Sequence, residues 1–499
     1  MSNESIPENS EQNVKSILEW LALAPGRSSQ EDVSGLQRRL ATLRGTLLPG
    51  EQKVKLLDLL YGHAAKITTA QFPALHEVTL PVSRRTRQLV RAIQDSLEIL
   101  AQEYLETFTA PFSTDIAGPP LDRLRPATQC LSWHLSISHL VAAPTTPGIW
   151  QLLHTSFRIA RGLGVEKLAP SQGGSPIEHI YVCSLLLSVV QPASFTSLEL
   201  EFIGRYIEHC ADGVNLSAET PSSRRGVFWV DPERDAPPNA LNRRPPPPDT
   251  SVLYFTCDSI AHRAEKHLTA LESGRSPAEL GLPDFAGTLA GRGVLKRLGG
   301  FWGRPAKRRF PRRRQSYRAD LCAGFDQLLE ILNTPTPIAP ATSEWMITNE
   351  SPDGYAMMHV AGATEHLRIG DIVALHPRRK ELPGEYAWQI CMVRWALSEN
   401  PEHIELGLQV LSTKGIPATL ALPHRKTKGR ASALLLPKAP PLRPSQALVV
   451  PTGTVDKDEE RFIVVTQQEN VAVLELRATY LDERTSCVEV FSVEPDERP

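Results

Sequence analysis

The densest chemistry in this 499-residue chain lies between Lys296 and Arg318. There KRLGGFWGRPAKRRFPRRRQSYR places ten basic residues, eight of them arginine, and no acidic one in 23 positions. An arginine fork makes two parallel hydrogen bonds to a phosphate or to the O6 and N7 edge of guanine, and its flat face stacks on a purine; lysine acts only as a point charge. The arginine bias therefore points to directed recognition of an anion. A second feature follows in Asn349-Glu350-Ser351-Pro352-Asp353-Gly354, which has the form N-x-S-x-x-G at the end of a strand-like stretch. A carboxamide oxygen and a hydroxyl two positions apart on an extended chain point to the same side and can meet the donor edge of a base, and the glycine permits close approach. Taken singly, the basic run also suits a solvated linker, an RNA patch or anionic lipid, and the turn suits an Asx-type turn with no ligand.

Other chemistry has little support. The chain contains no HExxH, GxSxG or Walker loop, and Gly291-Arg292-Gly293 is followed by Lys296 where a dinucleotide fingerprint needs glycine. His262 and His267 are five apart, on different faces of a helix, and all fourteen histidines read as ordinary. The seven cysteines, at 130, 183, 210, 257, 322, 391 and 487, form no CxxC pair and read as reduced thiols. The expectation is a protein that is not an enzyme and uses neither metal nor cofactor.

The elements that must position these residues divide the chain. Residues 14–215 carry a helical pattern, clearest where Leu89, Ile93, Leu97, Leu100, Tyr104 and Phe108 recur at steps of three and four. Further helices are expected at 121–141, 149–163, 177–190, 197–210 and 259–271, with short strands at 226–231 and 251–257 around a proline-rich loop, 236–249. Beyond the arginines, 344–349, 355–360, 388–395 and 404–411 read as strands and suggest an antiparallel barrel. A basic, proline-containing linker, 423–445, then precedes candidate strands at 447–450, 461–466, 471–480 and 487–493. The expected fold class is α+β and multidomain: a disordered tail (1–16), a mainly helical region (17–300), an Arg-rich linker (301–318), an antiparallel β-barrel (319–420) and a small C-terminal β unit (431–494).

Charge and targeting signals narrow the partners. Lys plus Arg number 54 and Asp plus Glu 56, a net charge of −2; removing the +10 of the arginine-rich segment leaves −12 on the rest. This argues against a general nucleic-acid coat and concentrates anion affinity in one place. Only Phe301, Trp302, Phe310 and Tyr317 interleave the basic residues, weak support for stacking on successive bases, so RNA and DNA are disfavoured. The N-terminus has no basic start followed by an apolar core, and the apolar stretch 180–190 is too short to span a bilayer. No membrane span is expected, and the expected location is the cytoplasm.

Arginines followed by N-x-S-x-x-G and a barrel resemble the PilZ domain, a bacterial receptor module for the second messenger cyclic di-GMP. The resemblance covers residues 305–413. Arg308-Arg309-Phe310-Pro311-Arg312 looks like the family's RRxxR form, with Arg308 and Arg312 as its two arginines, and Asn349, Ser351 and Gly354 match its D/N-x-S-x-x-G motif. Arg309 with Arg313, and Arg314 with Arg318, also satisfy RxxxR, so three registers stay open. The 36 residues between Arg312 and Asn349 exceed the usual spacing, and 320–332 read as an inserted helix. Asn349 offers one carbonyl acceptor where the family's Asp offers two. The resemblance implies that the arginines wrap phosphates and guanine edges while the second motif holds a guanine from the opposite side. The expected function is a cyclic di-GMP receptor that couples ligand binding to an unidentified protein partner through the helical region. The alternative is a PilZ-like scaffold that works through protein contacts and binds no nucleotide.

Overall fold

The computed structural model describes residues 8–23, 29–76, 79–109, 116–170, 173–222, 225–305, 309–333, 342–364, 367–378, 388–400, 403–422, 429–440, 442–455, 461–467 and 471–496. Among them are eleven α-helices, ten of which precede the first barrel. Helices α1 (Glu8–Ala22), α2 (Ser29–Arg44), α3 (Gly50–His76) and α4 (Arg84–Glu106) are followed by α5 (Leu121–Leu140), α6 (Ile149–Gly162), α7 (Ile177–Val189) and α8 (Ser197–Cys210). A small antiparallel sheet follows, made of β1 (Val227–Val230), β2 (Asn239–Ala240) and β3 (Leu253–Thr256), and then α9 (Asp258–Glu272) and α10 (Leu289–Gly303). These elements share one apolar core that runs from Ile17 to Trp302. The small sheet therefore completes the helical region: Phe228 and Phe255 stack at 5.6 Å and join that core.

Local sequence explains the helix boundaries. Ser83 caps α4 by accepting a hydrogen bond from the Thr86 amide, and Thr196 with Glu199 closes a capping box at the start of α8. The face of α4 that carries Ile93, Leu97, Leu100 and Tyr104 is buried, as its period demands.

The rest of the chain forms two closed antiparallel barrels. The first contains β4 (Arg313–Cys322), β5 (Thr342–Ser351), β6 (Gly354–Ala361), β7 (Ile372–Pro377), β8 (Gln389–Asn400) and β9 (His403–Ser412), with helix α11 (Phe325–Asn333) between β4 and β5. The second contains β10 (Ile416–Leu422), β11 (Gly429–Leu436), β12 (Gln446–Pro451), β13 (Arg461–Gln467), β14 (Val471–Arg484) and β15 (Val488–Pro495). Their strand orders are β4-β5-β6-β9-β8-β7 and β10-β11-β12-β15-β14-β13. Numbered within each barrel, both read 1-2-3-6-5-4, so the second repeats the topology of the first. Each has its own apolar interior, and a third cluster, which includes Ile372, Ile390 and Met392 with Leu434, Val449 and Val490, cements the two together.

Several expected boundaries move. Helix α1 starts at Glu8, inside the expected tail, because Ile17 and Trp20 bury against the bundle. The expected 301–318 linker is helical to Gly303 and joins the barrel from Arg313, where β4 gains pairing with β5. Residues 416–422 belong to the second barrel, where β10 pairs with β11 and β13. Strand β11 lies inside the expected 423–445 linker; its Ala433, Leu434, Leu435 and Leu436 are buried, and burial on both faces outweighs the flanking prolines and charges. The helix read at 320–332 is present from Phe325, after β4 has ended.

Candidate functional site

Of the arginine run, Lys296 and Arg297 serve the fold. Lys296 on α10 donates to the Leu481 carbonyl of the second barrel at 2.9 Å, and Arg297 pairs with the buried Glu199 and lies over the Phe195 ring. The chain leaves α10 at a second fixed point, where the Pro305 carbonyl accepts from Asn242 Nδ2 at 2.9 Å. Arg309 is exposed and lies over the Phe310 ring. Arg312 is also exposed, and Arg308 falls outside the described residues.

From Arg313 the run becomes a barrel strand, and strand register decides what it faces. Arg313 is opposite Glu350, and Arg314 is opposite Asn349. Directly opposed residues on antiparallel strands share a face. Asn349 is in turn opposite Ala356, Ala356 opposite Gly407, and Gly407 opposite Trp395. One transverse row, Arg314-Asn349-Ala356-Gly407-Trp395, thus crosses β4, β5, β6, β9 and β8. It lies on the outer surface, because Leu406 and Leu408, which flank Gly407, belong to the barrel interior. Four strand spacings make the row about 19 Å long.

The row has two small, buried residues at its centre, Ala356 and Gly407, and two chemically distinct ends. A side chain at Gly407 would collide with the Trp395 indole, so that ring lies over the bare backbone. The Arg314 end carries the charge: Arg313 and Arg314 are exposed, and among the described residues their side chains form no hydrogen bond or ion pair. The Asn349 carboxamide is half-buried and likewise has no described hydrogen-bond partner. Next to this row lies a second, in which Ser351 is opposite Gly354 and Gly354 opposite Gln409. The Ser351 hydroxyl donates to Asp353 Oδ1 at 2.7 Å and approaches the Gly354 carbonyl at 3.2 Å, which fastens the turn. A Cβ at Gly354 would run into the Leu408 carbonyl, so glycine is needed there for strand approach.

The Arg314/Arg318 register is divided by the same geometry. Arg318 pairs with Glu344 at 3.6 Å, and Arg378 bridges Glu344 and Asp320, so Arg318 belongs to an ion-pair network beside the row. Hydrogen bonding to Asp320 holds the Arg378 guanidinium above its usual range. Inward-facing Glu350 accepts from the Tyr317 hydroxyl. On the outer face the structure therefore brings together Arg314, Asn349, Ser351 and Gly354, with Arg309 and Arg312 on the preceding segment; Arg313, opposite the inward-facing Glu350, starts β4 on the other face. Sequence reasoning had passed over Ala356, Gly407, Trp395 and Gln409 as site residues. Two small residues opposite each other on a barrel face, with an aromatic alongside, are the signal, but it exists only once the register is known.

Comparison with known proteins points in one direction. Residues 15–222 match the family model described as the N-terminal domain of the cyclic-di-GMP receptor FimW. A curated Pseudomonas aeruginosa protein, the cyclic-di-GMP receptor FimW, is 23% identical to the chain over an alignment covering 84% of this chain and 81% of the relative. The family match runs from within α1 to beyond α8 and ends before the small sheet, so it covers most of the helical region but neither α9 nor α10. The arginine run and both barrels lie outside it.

Proposed function

We propose that this protein is a cyclic di-GMP receptor whose first barrel is a PilZ-like ligand module and whose helical region carries the response to a protein partner. The observation that carries the reading is the register that sets Arg314 beside Asn349, at one end of a row whose middle residues, Ala356 and Gly407, are small. Similarity to a cyclic-di-GMP receptor along most of the chain supports it. Arg308, Arg309, Arg312 and Arg314 would meet the two phosphates and the guanine acceptor edges, with Arg313 turned to the other face of β4; Asn349, Ser351 and Gly354 would hold a guanine from the barrel side. The Trp395 indole at the far end offers a surface for a second base.

The response follows from where the arginines sit. Their segment is anchored by Asn242 at Pro305 and by β4 from Arg313, so drawing it onto the barrel face loads both the helical region and the barrel. This is a linker-ordering switch, in which the ligand favours the conformation that offers more contacts. Among the described residues no helix is long and apolar enough to cross a membrane, and we place the receptor in the cytoplasm, where such a messenger is met.

Calorimetry of cyclic di-GMP binding to the full chain and to Arg314→Ala and Arg308→Ala/Arg312→Ala variants tests this reading. Loss of one charge-assisted hydrogen bond, worth about 1.5–3 kcal/mol, predicts weakening of about 10- to 150-fold in Arg314→Ala. Absence of heat with the intact chain, or equal heats from all three proteins, would exclude the site.

A further inference from the structure

One polar group at the turn lies outside both sequence motifs. Gln409 on β9 is directly opposite Gly354, and its neighbours Leu408 and Val410 face the barrel interior, so Gln409 faces outward beside the candidate guanine site. Its carboxamide oxygen accepts from Arg394 Nε at 2.6 Å. A guanidinium only donates, so this contact fixes which end of the amide meets Arg394 and leaves Nε2 with its two hydrogens for another partner. Arg394 is held in turn: its Nη2 donates to Glu483 Oε2 at 2.9 Å, and Glu483 belongs to β14 of the second barrel. The turn that follows β14 is itself docked on the first barrel, where the Thr485 hydroxyl donates to the Gly370 carbonyl at 3.0 Å.

We propose that Gln409 reads the base and selects guanine over adenine, with Arg394 and Glu483 as positioning residues, the latter supplied by the second barrel; this rests on the cyclic dinucleotide reading above. A glutamine free to rotate pairs with adenine through both ends, its oxygen accepting from N6 and its nitrogen donating to N7. With the oxygen turned to Arg394 and one of its two lone pairs taken, the amide is oriented to present its donor end to the base. Guanine presents two acceptors on that edge, O6 and N7, whereas adenine presents N7 beside an N6 donor that would face another N–H. Orientation of one amide thus becomes discrimination between bases, and leaving a polar group unmatched is what makes the wrong base costly. The second barrel repeats the topology of the first, but its β11–β12 connection (437–445) contains no N-x-S-x-x-G. Its contribution to the site is Glu483.

The test is calorimetry of the full chain with cyclic di-GMP and with cyclic di-AMP. The variants are Gln409→Ala, Gln409→Glu, Arg394→Met, Glu483→Ala and Glu483→Ala combined with Gln409→Ala, with thermal melting to verify folding. The intact protein is expected to prefer cyclic di-GMP. Each single variant is expected to lose about tenfold of that preference, and Gln409→Glu, which keeps the shape but has no donor, serves where Gln409→Ala does not fold. Glu483→Ala should change nothing further once Gln409 is alanine, an outcome a merely structural role would not give. An unchanged preference in both Gln409 variants, or an additive effect of Glu483→Ala, overturns the inference while leaving the receptor reading intact. Failure of the intact chain to bind cyclic di-GMP overturns both.

Discussion

Arg314, Asn349 and Gly407 show how much one residue can carry in a site built on a barrel face. Asn349 offers one carbonyl acceptor, and guanine presents two adjacent donors on its Watson–Crick edge. Asn349→Asp is therefore expected to bind cyclic di-GMP several-fold more tightly, measured by calorimetry; unchanged or weaker binding would separate Asn349 from the base. Gly407 makes the opposite prediction. Adding a methyl group there must displace the Trp395 indole, since the two would occupy the same space. Gly407→Ala should weaken binding and cost about 1–3 kcal/mol of stability in denaturant unfolding, the usual range for overpacking. The arginines and the N-x-S-x-x-G turn were legible as residue types, because guanidinium forks and strand-end turns have recognisable chemistry. Their partners Ala356, Gly407 and Trp395 were not, because alanine, glycine and tryptophan acquire meaning only from what lies opposite.

Among the elements, α5 holds a group that titrates against the fold. Burial pushes His134 down to about 4 from an ordinary value of 6.5, and the side chain is 1% exposed. The unfolded chain takes up this proton at a higher pH than the folded one, so the contribution of neutral His134 is complete above about pH 6.5 and is lost as pH falls toward about 4. Between about pH 7 and about pH 5 this amounts to about 2 kcal/mol. Denaturant titrations across that range should show the loss, and His134→Leu should remove its share while that of His139, which burial also pushes down to about 4, remains; an unchanged slope would mean that the His134 imidazole is solvated. Element type was readable where periodicity is strong: α4 buries the face its spacing announces, and β9 alternates as 404–411 suggested. Strand β11 was hidden, since ASALLL between prolines and basic residues has no period to betray it and owes its extended form to neighbours on both sides.

For the whole molecule, the joints between units determine what a ligand can move. Arg87 on α4 donates to the Ser398 carbonyl on β8 at 2.7 Å and also meets its hydroxyl, while the Ser398 amide donates to the Ala142 carbonyl at 2.7 Å. Strand β8 also carries Trp395 and Arg394, so the helical region grips the strand that forms the far end of the site. Arg87→Ala removes charge-assisted bonds worth about 1.5–3 kcal/mol each, and hydrogen exchange at the Ser398 amide is expected to quicken while amides in the middle of α5 keep their protection. Equal protection in both proteins would show that the joint does not depend on Arg87. The sequence by itself determined that one segment concentrates positive charge, that helices precede strands, and that an N-x-S-x-x-G turn follows the arginines, because charge and periodicity are local. Only the tertiary structure decided that Arg314 stands beside Asn349, that the C-terminal strands repeat the first barrel, and that Glu483 reaches Gln409 through Arg394. These depend on strand register and barrel docking, which join residues far apart in the chain and are set by collective burial that no local pattern records.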